Sequence, residues 1–409
     1  MEPLGKTTEL AEFRGVAPST LVSEMDDKRL IVIGDGMTGQ ITLDSGRNWG
    51  TPFQYMQEGA PMEPSLNKGN ILRLQDGRLA TAYSRQENHP TANYKTRTWY
   101  FTTSDDDGKN WTKGTALDIP AIYDLDKGFF VNFLWGNLLQ LTTGRLIAPA
   151  YWEIAGRHPA MPPAGDDPVT ATIQGTYVTR IADGHLYEAA MGGCYNYYSD
   201  DLGATWSICT GSTMVWPLPS ERGIGGFGVC WEPVVIELKD GRVMMFMRTN
   251  VGRLYQSFSS DGGENWLLPE TTELASGDVP CWLGRLRTTG DLVVVWNQSS
   301  KDEIERGYSR GRLSIAVSSD EAASWSTPIT LELSGGLDDV DQVELPPIAH
   351  VRAKEKLGTL PDNFTRSHYP RLSFVQENVV VTFNYDYHLK GKHHRDSGLL
   401  VVPESSLYR

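Results

Sequence analysis

Residues 259–266 read Ser-Ser-Asp-Gly-Gly-Glu-Asn-Trp and follow the alternating run Arg253-Leu-Tyr-Gln-Ser-Phe258. The octad reads as a turn that finishes a strand. Its hydroxyl and carboxylate can bond amides that the ladder has released, and glycine accepts a positive φ at no steric cost. Trp266 is then placed to plug the space between neighbouring sheets. The fold is decided by recurrence. The pattern Ser/Thr-x-Asp-x-Gly-x-x-Trp fits again at Thr42, Asp44, Gly46 and Trp49, at Ser104, Asp106, Gly108 and Trp111, and at Ser199, Asp201, Gly203 and Trp206. A degenerate copy, Ser318, Asp320, Ala322 and Trp325, carries Ala in place of Gly. The device is structural, so these aspartates carry no catalytic weight.

A second repeat precedes the turn: a short apolar strand, a tight polar turn, then another apolar strand. It is clear at 70–85 (NILRLQDGRLATAYSR), 137–153, 233–248 (PVVIELKDGRVMMFMR) and 283–297, and weaker at 19–35 and 371–386. Successive turn tryptophans are 62, 95, 60 and 59 residues apart. A unit of about 60 residues, built from a hairpin, a third strand and a turn, is one four-stranded propeller blade. The long interval holds an excess placed at about 154–188, where RHPAMPPAGDD predicts a surface loop or small lid. No linker divides the chain. The reading is one all-β domain over 1–409, a six-bladed β-propeller of four-stranded antiparallel blades, with the insertion in the third. The sixth unit lacks the turn, and its end, LLVVPESSLYR, is expected to pair with the N-terminal segment and close the ring.

Composition bounds the partners. Hydrophobic residues are 40% and charged residues 22%, which suits a globular protein with a real core. A net charge of −14 argues against nucleic acid and anionic membrane surfaces. No run approaches the roughly 18 apolar residues of a membrane span. The opening MEPLGKTTELAEF has no apolar signal region, which leaves a cytoplasmic or a mature exported protein equally open. Cys194, Cys209, Cys230 and Cys281 have no metal-ligand spacing and read as buried free thiols, with a Cys194–Cys209 pair as the alternative in an exported protein and no metal or cofactor implied.

These strand–turn units and the Ser-x-Asp-x-Gly-x-x-Trp turn resemble the Asp-box (BNR) repeats of the sialidase, or neuraminidase, superfamily, over nearly the whole chain. Propeller topology then says where to look: the start of each inner strand, the end of the second and the start of the third lie on one rim. Glu232 and Arg248 bracket one hairpin, Arg310 precedes a third strand, and Tyr369 opens the last unit. In residue type and spacing this is similar to sialidases. The resemblance implies Tyr369 as nucleophile and Glu232 as its base. Arg14, Arg248 and Arg310 would clamp a sugar carboxylate, Arg14 from Phe13-Arg-Gly-Val-Ala-Pro18, a loose version of the family's Arg motif.

Guanidinium groups suit a carboxylate because they bond it bidentately and stay charged. A neutral Tyr avoids the repulsion that a carboxylate nucleophile would meet, and sialidases are a known exception to the two-carboxylate rule. The family's acid loop is short here, so Asp35 is nominated as general acid, with Glu87 and His89 as alternatives. Arg85 and Trp282 are further rim candidates for substrate contact, as are Trp135, Glu153, Trp296 and Asp386. Arg312 competes with Arg310, because alternation puts both on one face. The stretch HLKGKHHRD, 388–396, reads as a solvated loop. The resemblance implies an exo-glycoside hydrolase releasing terminal sialic acid or a related acidic sugar from glycans with retention. The rival readings are a propeller lyase or other glycosidase acting on uronates, with His89 and Tyr369 as its pair, and a non-catalytic glycan-binding propeller.

Overall fold

Runs such as Val243–Thr249 (VMMFMRT) and Leu292–Asn297 (LVVVWN) are apolar without alternation. A strand reads this way when both of its faces are covered, and every residue in both is buried. The computed structural model describes residues 21–24, 29–33, 37–44, 48–63, 70–88, 95–117, 130–134, 136–154, 169–173, 176–180, 186–187, 192–215, 230–348, 361, 363–389 and 392–408.

The chain is an all-β propeller. In the 230–275 sheet, strands Cys230–Glu237, Val243–Thr249, Arg253–Ser259 and Glu270–Ala275 lie in chain order, each antiparallel to the next. The 281–333 sheet repeats this order, and the 365–403 sheet has three strands, Thr365–Val375, Asn378–Leu389 and Lys392–Pro403. Strand Leu21–Glu24 lies against both Leu72–Arg73 and Thr365–Val375, so first and last sheets meet. Leu30 and Val32 share a core cluster there with Val375, Val380 and Leu399.

The expected ring of six uniform four-stranded blades is not what the chain builds. Among the described residues, seven sheets have three or four strands and one has five. Two departures account for the extra sheets. Asn110–Trp111, leaving an Asp box, pairs in parallel with Met56–Gln57 and makes a small separate sheet with Ala60–Pro61. Within the insertion, Val169–Ile173, Thr176–Arg180 and Leu186–Tyr187 form a further antiparallel sheet. The C-terminal strand pairs with Asn378–Leu389; the pairing expected for it with residues before 21 lies outside the described residues.

Each Asp box closes as its chemistry dictates. The Ser259 hydroxyl donates to Asp261 at 2.8 Å and accepts from the Gly263 amide at 2.8 Å. Asp261 in turn accepts from the Asn265 amide at 2.9 Å and the Asn265 side chain at 2.8 Å. Ser318, Asp320 and Ser324 reproduce the network, and Ala322 takes the glycine's place with φ +70°. The tryptophans then reach back. Trp206 meets Phe101 edge-on at 5.3 Å, Trp266 donates to Asn196 at 2.7 Å, and Trp325 packs on Phe246 at 5.8 Å. Each links its sheet to the one before.

Candidate active site

Two inner strands are interrupted in the same way. In Cys230–Glu237 the register steps from Trp231↔Arg248 to Val234↔Phe246, and in Thr365–Val375 from His368↔Asn384 to Arg371↔Thr382. Each bulge holds one extra residue and a proline, Pro233 or Pro370, which has no amide to give the ladder. The residue before each proline, Glu232 or Tyr369, has a positive φ, +46° and +55°. Asp278, ahead of strand Cys281–Arg285, has φ +46°. A left-handed conformation costs a non-glycine residue about 1–2 kcal/mol. Such strain concentrates where a side chain must be aimed.

The bulge turns Glu232 toward Arg248, which sits opposite Trp231 at the end of the next strand. Arg248 Nη1 donates to Glu232 at 2.6 Å, its Nε donates to Asp278 at 2.9 Å, and its Cζ lies 5.1 Å from the Trp231 ring centroid. Both Arg248 and Glu232 are buried. Burial alone would push the guanidinium pKa down, but Asp278, Glu232 and the Tyr369 side chain raise it well above the ordinary value. This cation therefore stays charged between two carboxylates.

A second group forms around Tyr369. The Arg310 carbonyl accepts from the Ser367 amide at 3.0 Å, which pins the chain ahead of strand Arg312–Ser318 against the last sheet. Arg310 Cζ then lies 5.1 Å from the Tyr369 ring centroid, and its Nη1 is 3.0 Å from His368 Nδ1. Arginine only donates, so Nδ1 is the acceptor and the imidazole is neutral, with its proton on Nε2. That Nε2 is 3.1 Å from Asp386 Oδ2. Burial lowers the His368 pKa to about 4, with Arg310 helping and Asp386 opposing. Asp386, on the strand beside, accepts from Arg395 Nε at 2.7 Å and Nη2 at 2.9 Å. Although Asp386 is buried, the bonds from Arg395 and the nearness of His368 hold its carboxyl far below the usual range.

Of the residues singled out from sequence, Glu232 and Arg248 meet directly, Arg310 and Tyr369 meet directly, and Tyr369 is close enough to Arg248 to act on its charge. Arg312 is fully buried, bound to Glu303 at 2.9 Å and to the carbonyls of Asp338 and Val340, so it is a structural strut. Arg14 and Asp35 lie outside the described residues, as do His89 and Trp135. Glu87 lies on strand Leu79–Asn88 opposite Thr96, and Glu153 opposite Val131; their side chains are not described.

Other expectations need correcting. Trp282, expected to face a sugar, is 5% exposed within the largest core cluster, with Arg371 Cζ 5.4 Å from its ring centroid. Trp296 is buried and donates to the Ala275 carbonyl at 2.8 Å. The contacts of Arg85 run to Gln57 at 2.7 Å, Glu63 at 3.5 Å and the rings of Tyr83 and Tyr100, none of them in either group. The expected 388–396 loop is the end of a hairpin in which His388 pairs with His393.

Sequence reasoning missed Asp278, His368 and Arg395 and left Arg371 unassigned. The rim rule itself could have found two of them, since Asp278 precedes an inner strand and Arg395 lies near the start of a third. Among the described residues, no group of three His, Cys, Asp or Glu side chains is arranged to hold a metal.

Comparison with known proteins bears on the fold. The family model described as a BNR repeat-like domain matches residues 36–381. No curated protein matches the chain. Among solved structures, a protein of unknown function from Dyadobacter fermentans superposes with TM-score 0.57 at 14% identity, covering 95% of this chain and 94% of that one. NanB sialidase from Streptococcus pneumoniae gives TM-score 0.55 at 11% identity, over 99% of this chain and 70% of the other. Trypanosoma rangeli sialidase gives 0.51 at 14% identity, over 94% of this chain, which spans about half (54%) of that protein. At these identities the likeness establishes the fold. With the family model spanning most of its length, the chain belongs to the BNR repeat-like domain family.

Proposed function

We propose that the protein is an exo-glycosidase of sialidase type, releasing a terminal sialic acid or related acidic sugar with retention. The observation that carries this reading is Tyr369: its ring lies beneath Arg310, on a bulge held at positive φ, within electrostatic reach of the Arg248–Glu232 pair. In the first step Glu232 takes the phenol proton as the oxygen attacks the anomeric carbon. A covalent tyrosyl-sugar forms and the glycosidic bond breaks. Water then attacks the same carbon from the opposite face, the tyrosine leaves, and the two inversions sum to retention. Protonation of the leaving oxygen falls to an acid at the same rim, for which Asp35 and Glu87 are the nominees.

The test is release of fluorophore from a 4-methylumbelliferyl α-sialoside. Turnover by the native chain, lowered by roughly three orders of magnitude or more in Tyr369→Phe with unchanged melting, is the expected result. Turnover that survives Tyr369→Phe overturns the mechanism. No release from any acidic α-glycoside overturns the assignment.

A further inference from the structure

The last sheet carries different chemistry on its two faces. Side chains alternate along a strand, and directly paired residues share a face. Arg366, Asp386 and Arg395 are paired across the three strands, and together with His368 they form the charged face. The other face carries Thr365, Tyr387 and His394 in one row and Ser367, Tyr385 and Asp396 in the next. Tyr385 belongs to the largest core cluster, and Tyr387 packs at its margin. The Tyr387 ring stacks on His394 at 5.2 Å with 13° between the planes, and its centroid is 5.7 Å from that of Tyr385. Its hydroxyl donates to Asp396 Oδ2 at 3.1 Å, which fixes the ring in place. These tyrosines, Asp396 and His388, with Asn363, Phe364 and Thr365 from the start of the first strand, line a cleft of about 470 Å³. That volume is in the range of small-ligand sites. Thr365 stands four residues ahead of Tyr369, about 13 Å along the strand at roughly 3.3 Å per residue. Neither Tyr369 nor its partners line the cleft.

We infer that this cleft is a sugar-binding site separate from the tyrosine centre, and that its ligand is an uncharged pyranose. The inference does not depend on the glycosidase reading. A pyranose has an apolar C–H face and a rim of hydroxyls. The rings of Phe364, Tyr385 and Tyr387 suit the face, and the polar groups of Asn363, Thr365 and Asp396 suit the rim. Charge sets the class of sugar. Among the described lining residues there is one carboxylate and no arginine or lysine. Asp396 accepts charge-assisted bonds from hydroxyls and repels an anionic ring. Arg366, whose Cζ is 5.9 Å from the Phe364 ring centroid, and Arg395 belong to the opposite face and do not line the cleft.

Nuclear magnetic resonance of the full chain with isotope-labelled histidine, held at one pH, reads both places at once. His394 stacks on Tyr387 and His388 lines the cleft, while His368 marks the charged face. Methyl β-glucoside or methyl β-galactoside is expected to shift His388 and His394 saturably and to leave His368 in place. The matching uronide should act on the same two resonances at least about tenfold more weakly. Tyr387→Ala is expected to weaken the neutral sugar by about tenfold. Asp396→Asn, at a half-buried position, should weaken it by about threefold and narrow the gap to the uronide, which keeps the test open if Tyr387→Ala fails to fold. No saturable shift with either neutral glycoside overturns the inference. So does a uronide that binds as tightly, cyclohexanol that binds as tightly, or binding unchanged in Asp396→Asn. A chain that cleaves no sialoside yet shows these shifts keeps the cleft and loses the glycosidase reading. A chain that cleaves sialosides and shows no shifts does the reverse.

Discussion

His368 gives the molecule a pH dependence that can be worked out in advance. Its ring is 1% exposed, and Arg310 Nη1 at 3.0 Å claims the lone pair on Nδ1. Protonating that nitrogen would set N–H against N–H, so the folded state resists the proton until the pKa has fallen from 6.5 to about 4. The sign follows from proton counting. Between pH 6.5 and 4 the unfolded chain carries a proton on this residue that the folded chain refuses, so stability rises with pH through the window. The contribution is complete above 6.5, declines by up to about 1.4 kcal/mol per pH unit below it, and is lost near pH 4. The total is roughly 3 kcal/mol, from about 2.5 units of displacement.

Asp386 acts in a different window. Its carboxyl is held so low that it stays ionised throughout the histidine titration, and its contribution fades only below the ordinary Asp value of 3.8. The assay is the imidazole resonance of His368 followed from pH 7.5 to 4 by NMR, with urea midpoints taken in parallel. A chemical shift that stays on the neutral plateau down to about pH 5, and a midpoint that falls between pH 6.5 and 4, are expected. In His368→Gln the fall in that window shrinks. A His368 pKa at or above 6.5 would refute the neutral-acceptor geometry, and with it the reason given for where Arg310 points.

Other consequences are more local. Arg248→Met leaves Glu232 and Asp278 without their shared cation and should cost about 3–5 kcal/mol in urea unfolding, a loss partly recovered when Glu232→Gln is added. Trp266→Phe deprives the fully buried Asn196 of its 2.7 Å donor and should lower stability by about 1–3 kcal/mol, read from the melting temperature. Ala322→Gly relieves a left-handed alanine at φ +70° and should raise stability by up to about 1 kcal/mol once the chain entropy of glycine is set against it. A lower melting temperature in that variant would mean that the alanine methyl group contributes more than the strain costs.

What was legible in the sequence was whatever is local. The Asp-box network joins residues within six positions of one another, so its spelling survives as a motif even where Ala322 replaces glycine. The hairpin at 233–248 fixes Glu232 and Arg248 on one rim, because an antiparallel pair returns its ends to the same place. Blade number was lost for the opposite reason: the pairing of Asn110–Trp111 with Met56–Gln57 spans more than fifty residues and involves strands too short for any periodicity. Alternation alone could not separate Arg310 from Arg312. The difference lies in Glu303, on the short helix Lys301–Glu305, whose carboxylate captures Arg312 in the core. Trp282 was misjudged because a rim position does not say which way a ring turns, and this one turns under Arg371. One cue was spelled out but not used, the dipeptides Glu232-Pro233 and Tyr369-Pro370, each marking a bulge in an inner strand.

The central claim is that Tyr369 attacks the sugar. Incubation with a 2,3-difluorinated sialic acid tests it most directly, because fluoride leaves readily while the second fluorine slows release of the enzyme-bound sugar. Mass spectrometry of digested protein should find the added sugar on the peptide spanning 367–371, with none in Tyr369→Phe. A sugar adduct on Glu232 or elsewhere, or an active protein that never becomes labelled, would contradict the account.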